Sequence, residues 1–462
     1  MQRTVTRVLR TKSSMALLRF PTAASLGLAL LAWTSPATAR AQSGNQPAAS
    51  ARVNSARLQQ SLETLSTFGR SAGGTFADGV SRVAYSDADV AGRSYVLGLM
   101  RDAGLNPHID AAGNLIGTRA GTDSSLKPIV FGSHIDSVRG GGNFDGDVGS
   151  MGAIEVIRAL NENQVHTRHP LQVAIWSNEE GGTHGSGALV DTPTAATLNR
   201  DFYGISMRDG LRKIGGDPDK LAEIRRQPGS MASYLELHIE QGGNLDKAGL
   251  QIGVVDGIVG IDDYAVEVKG FANHAGTTPM PGRKDALYAA SYIVQAVREV
   301  ATSMPGRQVG TVGRFEVIPN APNVIPGKVS LSMQFRDLSG EKLDIMGAQI
   351  TKRVQEIAKQ TDTDISSIRV QRTLPALANK GIQQDIEASI ASLGFTSTHL
   401  PSGAGHDAQE IARLTPMGMI FVPSIGGISH SPRELSHWPD IANGANVLLQ
   451  TILRIDANPD PH

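Results

Sequence analysis

The stretch "KPIVFGSHIDSVRGGGNFDGDVGS" (residues 127–150) contains the pattern from which the fold can be predicted. Residues 129–131 form an apolar run typical of a strand buried on both faces, and a glycine-rich acidic loop follows. Apolar residues then recur at every third position from Met151 to Leu160, which indicates a helix. The apolar run of residues 171–176 repeats this order and ends in acids and glycines. Buried strands that alternate with helices predict an α/β domain with a largely parallel sheet.

The sequence pattern changes near residue 256, where apolar and polar residues begin to alternate. The alternation is clearest in "GKVSLSMQFRD" (residues 327–337), and it indicates strands with one face in solvent. Further strands are predicted near residues 310–317 and 366–372, and helices at about residues 284–301 and 341–360. Together these segments have the β-α-β-β-α-β order of a ferredoxin-like α+β domain.

The domain organisation is predicted from these two patterns. A catalytic α/β domain, made of residues 53–255 and 373–462, has a mostly parallel sheet flanked by helices. The α+β domain, residues 256–372, is inserted into it. Because ligands collect at the carboxyl ends of the strands in sheets of this kind, the site is expected in the loops that follow the apolar runs.

The N-terminal residues 1–41 have the three parts of a secretory signal peptide: a basic start, an apolar run and a small-residue cleavage site. Cleavage is expected near Ala39 or Ala41, and Met15 is an alternative start. The polar residues 42–52 are expected to be flexible. We therefore expect an exported protein, periplasmic or secreted. After cleavage it should have no membrane anchor, because no later segment is long and apolar enough.

The composition excludes several classes of site and partner. The 462 residues include no cysteine, which excludes disulfides, thiolate nucleophiles, zinc fingers and iron–sulfur clusters. A formal net charge of -1 gives no electrostatic reason to expect a nucleic-acid partner. Any tightly bound metal must therefore use histidine, aspartate or glutamate side chains.

Histidines and acids recur in glycine-rich or acidic loops directly after predicted strands. The histidines are His134, His238, His274, His406 and His430, and the acids are Asp136, Asp145, Glu179, Glu180, Glu240 and Asp407. Any one of them is ordinary in a solvated loop, but their repeated placement indicates a shared site. Histidine and carboxylate ligands suit Zn²⁺, Mn²⁺, Co²⁺ or Ni²⁺ rather than Ca²⁺.

Local spacing indicates roles for some of these residues. Two cations about 3.5 Å apart need a bridging carboxylate, and Asp145 lies between glycines that allow a close approach. Glu179 and Glu180 are adjacent and point in different directions, so one can bind metal while the other acts as general base. Asp136 follows His134 by two residues and is expected to hold the second nitrogen of its imidazole.

The sequence resembles the zinc-dependent amidohydrolases of the M20 metallopeptidase superfamily. Within it, the most similar branch is that of N-carbamoyl-L-amino acid hydrolase, allantoate amidohydrolase and β-ureidopropionase. Over about residues 55–440 the motifs follow the family's order: "GSHIDSV", "GGGNFDGDVG", "SNEEG", "LELHIEQGGNL", "GFANHAGTTPM", "RKDAL", "PNAPNVIPGKV", "FRDL", "SGAGHDA" and "GISHSPREL". "LHIEQG" together with "NHAGTTPM" separates this branch from the general peptidases.

The resemblance implies a zinc-exopeptidase-like catalytic domain with two divalent metal ions per subunit, Zn²⁺ or Mn²⁺, with Co²⁺ or Ni²⁺ as alternatives. His134 and His238 would bind one ion, and Glu180 and His430 the other. Asp145 would bridge the two. The inserted domain would act as a lid and would also form a homodimer.

The resemblance also implies catalytic and substrate-binding residues. Glu179 would be the general base, supported by Asp136 and by His274 from the inserted domain. The implied substrate-binding residues are Gln241, His274, Asn323, Arg336, Gly405 and His406. Arg336 suits a bidentate contact with a substrate carboxylate, and His274 and Asn323 suit a carbonyl oxygen as it becomes an oxyanion.

The expected reaction is hydrolysis of a linear C–N bond other than a peptide bond, in an amide or amidine. A metal-bound hydroxide generated by Glu179 would attack the carbonyl of a small ureido or amide substrate, such as an N-carbamoyl-L-amino acid or allantoate. Two alternatives are an aminoacylase- or dipeptidase-like hydrolase of N-acyl amino acids or peptides, and an exported binding protein on an inactive hydrolase fold.

One departure from the family's pattern affects the pocket. After Glu180 the chain reads "EEGGTHGSGAL", which is shorter than the family's loop and lacks its arginine and phenylalanine. This loop flanks the expected metal site, so the pocket shape and the substrate stay open. Arg139, Asp147 and His184 have no assigned role.

Overall fold

The structure is a computed structural model that describes residues 50–458. These residues all belong to one of the chain's two compact units, residues 45–462. The predicted signal peptide, residues 1–41, and most of the predicted flexible segment, residues 42–52, lie outside the described residues. Within the described part, no helix has the length and apolar character needed to cross a membrane.

The described chain alternates strands and helices over most of its length. The strands are β1 Asn106–Ile109, β2 Leu115–Arg119, β3 Ile129–His134, β4 Leu171–Trp176, β5 Asp201–Phe202, β6 Ile205–Ser206, β7 Ser233–Ile239, β8 Ile252–Ile258, β9 Gly260–Lys269, β10 Val309–Thr311, β11 Phe315–Ile318, β12 Lys328–Asp337, β13 Asp364–Thr373, β14 Ala376–Leu377, β15 Ser397–Ser402 and β16 Met417–Val422. The α-helices are α1 Ser55–Leu65, α2 Asp87–Asp102, α3 Asp147–Glu162, α4 His184–Gly187, α5 Ala195–Leu198, α6 Met207–Lys213, α7 Asn244–Ala248, α8 Ala286–Thr302, α9 Gly340–Thr361, α10 Lys380–Leu393, α11 Asp407–Ile411 and α12 Trp438–Ala457.

The large sheet has the strand order β1-β2-β4-β3-β7-β16-β8-β14, with β15 beside β8. Its central strands β4, β3, β7 and β16 run parallel to one another. The outer pairs β1–β2, β2–β4, β16–β8 and β8–β14 are antiparallel. The carboxyl ends of the four central strands therefore open on the same edge, where α/β sheets bind their ligands.

The central strands are buried on both faces, which explains the apolar runs in β3 and β16. In β3, Ile129 and Phe131 pack in the hydrophobic cluster on one face of the sheet, and Val130 packs in the cluster on the other. Helix α3 packs tightly on β7, because Gly149 has no side chain where a Cβ would meet the Leu237 carbonyl oxygen at 2.1 Å. The predicted catalytic sheet, flanked by helices, is thus confirmed.

The small sheet has the order β10-β12-β9-β13, with β11 also paired to β12, and its strand pairs are antiparallel. Helices α8 and α9 pack on it, and alternate residues of β9 and β12 are buried against them. The chain passes from the large to the small sheet at Val259 and returns at residues 374–375, compared with the predicted boundaries 256 and 372.

One predicted strand of the small sheet is interrupted. The segment 310–317 forms two short strands, β10 and β11, on the same edge of β12. Thr311 pairs with Gln334 and Phe315 with Leu331, so this segment has one residue more than the strand opposite. Such an extra residue makes a bulge, and apolar alternation alone does not reveal it.

Candidate metal centre and active site

Four segments of the chain bring histidines and acids to the carboxyl edge of the large sheet. The loop after β3 carries Asp145, and the loop after β4 carries Glu179 and Glu180. His238 is the penultimate residue of β7, and His430 lies in the segment after β16. Because β4, β3, β7 and β16 are parallel neighbours, residues far apart in sequence become neighbours in space.

A first potential metal group consists of His134, Asp145 and His238, which are all buried. Asp145 Oδ1 lies 3.2 Å from His238 Nε2 and 3.7 Å from His134 Nε2. One ligand atom from each residue lies within 4.8 Å of the others, which is close enough for a single cation.

A second group consists of Asp145, Glu180 and His430. His430 Nε2 lies 3.1 Å from Asp145 Oδ2 and 3.6 Å from Glu180 Oε2. The two groups therefore share Asp145, and each of its carboxylate oxygens faces a different group. This is the arrangement that a carboxylate bridging two cations requires.

A third cluster, Glu236, His238 and His406, also meets the distance criterion for a metal. The oxygens of Glu236, however, already accept hydrogen bonds from Ser133 Oγ at 2.8 Å and from the Ala408 N–H at 3.0 Å. The Tyr234 hydroxyl adds a third at 3.2 Å. Glu236 therefore supports the floor of the site beneath His238 and has few lone pairs left for a cation.

The electrostatics of the site fit a pair of cations. Burial and the charge of Asp145 raise the pKa of Glu180 to about 8. Burial and the charges of Asp407 and Glu180 raise the pKa of Glu179 well above its ordinary value. Carboxylates packed this closely repel one another in a dry site, and divalent cations among them would offset that repulsion. The donor set of imidazoles and carboxylates is one that Zn²⁺ or Mn²⁺ accepts.

The histidines of the first group differ in protonation. Burial lowers the pKa of His134 to about 4, which favours the neutral imidazole that a metal needs. Burial would also lower the pKa of His238, but its hydrogen bond with Asp145 and the charge of that residue raise it to about 9. A cation bound between His238 and Asp145 would take the place of that proton.

Similarity to known proteins identifies the family of this chain. Residues 130–454 match the model of the peptidase family M20/M25/M40. The chain belongs to this family. It is 40% identical over 409 residues to an N-carbamoyl-L-amino acid amidohydrolase of Geobacillus stearothermophilus, covering 87% of this chain and 99% of that protein. It is 35% identical over 422 residues to a ureidoglycolate hydrolase of Arabidopsis thaliana, covering 88% of each.

Among solved structures, an amidase of the hydantoinase/carbamoylase family from Burkholderia multivorans superposes with a TM-score of 0.81. It is 34% identical and covers 89% of this chain and 100% of that chain. The predicted family, its N-carbamoyl amino acid hydrolase branch and the two-part architecture are confirmed by these findings.

The predicted contact between the carboxylate of Asp136 and the imidazole of His134 is wrong, because another atom of Asp136 makes it. His134 Nδ1 lies 2.9 Å from the backbone carbonyl oxygen of Asp136 and 4.0 Å from its carboxylate. The carboxylate instead accepts the N–H groups of Glu179 at 3.1 Å and Glu180 at 3.2 Å. Asp136 therefore positions the glutamate pair with its side chain and His134 with its backbone.

His238 is oriented in the same way as His134, because its Nδ1 lies 2.9 Å from the carbonyl oxygen of Ile239. In both imidazoles the backbone contact occupies Nδ1 and leaves Nε2 directed at Asp145. Such contacts fix the tautomer and the ring orientation of metal-binding histidines. Backbone carbonyls thus provide the support that sequence reasoning assigned to a carboxylate.

Two predicted substrate residues lie next to the metal groups. Gln241 Nε2 donates to Asp145 Oδ2 at 2.8 Å, and within the described residues its Oε1 has no hydrogen-bond partner. His406 is buried with its ring centroid 4.5 Å from that of His238, and its Nε2 lies 2.8 Å from Ser402 Oγ. Gly405 precedes His406 in the loop between β15 and α11.

The remaining predicted substrate residues belong to the inserted domain. Arg336 on β12 donates from Nη1 to the carbonyl oxygen of Gly403 at 2.6 Å, in the same loop as His406. His274 and Asn323 are exposed. His274 Nδ1 accepts the N–H of Gly276 at 3.0 Å, which leaves Nε2 as the free nitrogen. In the described part of the chain, no hydrogen bond joins His274 or Asn323 to the two metal groups.

Sequence reasoning missed Glu434, which lies in the quoted motif "GISHSPREL". Its Oε1 accepts the N–H of Phe144 at 3.0 Å and that of Asp145 at 3.1 Å. Its Oε2 accepts the Ser429 hydroxyl, which lies 3.2 Å from Asp145 Oδ2. Glu434 therefore fixes the backbone of Asp145. Its position four residues after His430, in the same motif, was the signal from which this role could have been suspected.

Asp147, unassigned from sequence, pairs with Arg82 in a fully buried salt bridge. Arg82 also donates to the carbonyl oxygens of Ile135, Leu65 and Phe68. The pair ties the start of α3 to the segment after β3 and holds the loop that carries Asp145. Glu240, another candidate acid, accepts N–H groups at the start of α7 and supports that turn.

Proposed function

We propose that this M20 protein is a binuclear-metal amidohydrolase that cleaves a linear C–N bond in a ureido acid. The observation that carries the proposal is the shared carboxylate of Asp145, whose two oxygens face two separate ligand groups. Relatives named for N-carbamoyl-L-amino acids and ureidoglycolate support a ureido substrate with a carboxylate. When bound, the two cations would polarise the substrate carbonyl and acidify the attacking water.

Glu179 is the proposed general base. Its Oε2 lies 3.7 Å from His134 Nε2, so the carboxylate reaches the edge of the first metal group. Burial and neighbouring carboxylates raise its pKa, and cations bound beside it would lower that pKa again, so that Glu179 could take a proton from the attacking water and pass it to the leaving nitrogen. Cleavage at the terminal nitrogen of an N-carbamoyl amino acid would release ammonia, and the remaining carbamate would lose carbon dioxide to give the amino acid.

Arg336 is the proposed ligand of the substrate carboxylate. Its guanidinium already reaches the catalytic domain at Gly403, so a carboxylate in place of that carbonyl oxygen would find a planar pair of donors. His274 and Asn323 are the proposed donors to the developing oxyanion, reached when the inserted domain closes over the site. Gln241 Oε1 is available to accept an N–H of the ureido group.

Two further proposals concern the assembly of the protein and its location. We propose an exported homodimer that pairs through the inserted domain, where the edge strand β13 leaves Ile368 and Val370 more than 60% exposed. Light scattering of the mature protein should give twice the monomer mass. The variant Ile368→Lys should shift that mass toward the monomer, and a monomeric wild type would contradict the proposal.

The test of the activity is Glu179→Gln, compared with Glu223→Gln at an exposed position. Both variants should keep the metal content of the wild type, whereas only Glu179→Gln should lose hydrolysis of N-carbamoyl amino acids, by about 10²–10⁴-fold in kcat. Wild-type activity in metal-loaded Glu179→Gln would refute the assigned base. N-acetyl amino acids and dipeptides, assayed in parallel, distinguish the aminoacylase- and dipeptidase-like alternatives, and an enzyme inactive on all three classes would support the binding protein.

A further inference from the structure

A cavity of about 440 Å³ lies beside the second metal group, on the side of the loop that follows β4. Glu180, a member of the second metal group, lines it together with Gly181, and so do Arg139, Arg200 and Tyr203. The volume is within the range of small-molecule sites in proteins. A group held in this cavity would therefore adjoin a substrate bound at the metals.

Two guanidinium groups in this cavity are held by aromatic rings. The Cζ atom of Arg139 lies 4.2 Å from the ring centroid of Tyr203, and that of Arg200 lies 5.0 Å from the ring centroid of Phe202. Within residues 50–458 neither arginine forms a salt bridge. Stacking orients a guanidinium through its face and leaves its N–H edges free to bind an anion.

The acids that line the cavity are already engaged. Asp136 accepts the N–H groups of the glutamate pair, and Asp201 Oδ1 accepts the N–H of Gly204 at 3.0 Å. Glu180 faces His430 in the second metal group. Among residues 50–458, no carboxylate oxygen lies within 4.0 Å of a nitrogen of either guanidinium, so the N–H edges of Arg139 and Arg200 stay open to an anionic ligand.

The short loop after Glu180 explains how this cavity is formed. A Cβ at Gly181 would lie 2.7 Å from the Phe202 ring and 2.0 Å from Asn178 Oδ1, so only glycine lets Phe202 pack here. On another side, the His184 ring meets Phe202 edge-on with centroids 5.5 Å apart. The loop "EEGGTHGSGAL" thus fixes the Phe202 ring on which Arg200 stacks. The part of the chain that departs from the family's pattern therefore borders the cavity that the two arginines line.

We propose that Arg139 and Arg200 form a second anion subsite that selects ureido acids carrying an acidic side chain. This inference rests on the proposed function, since Arg336 would bind the first carboxylate. The substrate class is then N-carbamoyl amino acids with two carboxylates, such as N-carbamoyl-L-glutamate. The uncharged N-carbamoyl-L-glutamine has the same length and shape and lacks only the charge.

The experiment compares kcat/KM for this matched pair in the wild type, Arg139→Gln, Arg200→Gln, the double variant and Arg101→Gln. Arg101 is an exposed arginine on α2, away from the cavity, and serves as control. The wild type should prefer the glutamate compound. Each cavity variant should lower kcat/KM for that compound by about tenfold, with a change of about twofold or less for the glutamine compound. Arg101→Gln should resemble the wild type.

A binding measurement supplies a readout that does not depend on turnover. Calorimetry on metal-loaded Glu179→Gln should show tighter binding of N-carbamoyl-L-glutamate than of the glutamine compound. That preference should weaken with added salt, because exposed charges are screened. It should disappear when both cavity arginines are also replaced.

The outcomes separate this inference from the proposed function. If the wild type hydrolyses ureido acids and the glutamate-to-glutamine ratio is the same in the double variant, the anion subsite is refuted and the amidohydrolase stands. If no ureido acid is hydrolysed by the metal-loaded wild type, the proposed function fails and the subsite fails with it.

Discussion

The replacement Gly146→Ala tests whether the loop holds His134 in a metal-binding position. Gly146 has φ of +67°, and a Cβ there would lie 2.4 Å from His134 Cε1 and 2.5 Å from both ring nitrogens. The imidazole cannot move aside freely, because it is buried and its Nδ1 contacts the Asp136 carbonyl oxygen. We therefore expect the methyl group to displace the ring.

The size of the effect follows from a matched control in the same loop. Gly140 also has positive φ, +61°, but a Cβ there would meet no atom within 4 Å. A positive φ costs an alanine about 1–2 kcal/mol at Gly140 and at least as much at Gly146, whose ψ of -41° lies outside the left-handed helical region. Overpacking against the imidazole adds about 1–3 kcal/mol at Gly146 alone. The free energy of unfolding should thus fall by about 1–2 kcal/mol in Gly140→Ala and by about 2–5 kcal/mol in Gly146→Ala.

The assay combines stability with metal affinity. Urea unfolding in the presence of a chelator, followed by tryptophan fluorescence, measures the free energy of unfolding of the metal-free protein. Calorimetric titration with Mn²⁺ then measures affinity, which should fall by about tenfold or more in Gly146→Ala and stay near that of the wild type in Gly140→Ala. If the two variants match in both measurements, His134 does not occupy the position described and the reasoning is refuted.

Three further predictions concern the bridging ligand, the substrate arginine and the core. Asp145→Asn should lose metal from both groups, whereas His238→Gln should lose it from one. Inductively coupled plasma mass spectrometry measures the metal content per subunit, and equal losses in the two variants would contradict a bridging role for Asp145. Arg336→Lys should raise KM for ureido acids by about tenfold with a smaller change in kcat, because lysine cannot bind a carboxylate bidentately; unchanged steady-state kinetics would exclude the assigned contact. Leu237→Ala, at a fully buried position, should lower the free energy of unfolding by about 2–5 kcal/mol in urea titrations. Leu377→Ala, 65% exposed, should change it by about 0.5 kcal/mol or less, and similar losses would contradict the described packing.

The large sheet could be predicted from sequence because its central strands are buried on both faces. The largely apolar run of residues 171–176 coincides with β4, in which the one polar residue, Gln172, is only half-buried. The set of histidines and acids that contains the five metal-ligand candidates could be predicted for the same reason, whereas the choice of those five came from the family resemblance. His134, Asp145 and Glu180 follow such runs directly or after a short loop, where side chains gather in parallel sheets.

The supporting contacts could not be predicted, because they depend on atoms rather than on residue types. Whether His134 is held by the carboxylate or by the backbone carbonyl of Asp136 is decided by how the chain turns after β3. Glu434 reaches the backbone of Asp145 from 289 residues away in the chain. The motif that Glu434 shares with His430 places it near the site but does not identify the atoms it contacts. The bulge between β10 and β11 depends on how the two segments pair with β12.

The buried carboxylates around the two metal groups explain why the proposed site would need bound cations. Burial raises the pKa of Asp136 to about 6 even though it accepts two backbone N–H groups, and burial with the charge of Glu236 raises that of Asp407 well above its ordinary value. Without cations, such acids would take up protons and Glu179 could not serve as a base. Positive charge in the two groups would oppose that uptake, so the cations of the proposed mechanism would also keep the proposed base ionised. If the proposed function holds, the buried acids make metal binding a condition for catalysis by Glu179.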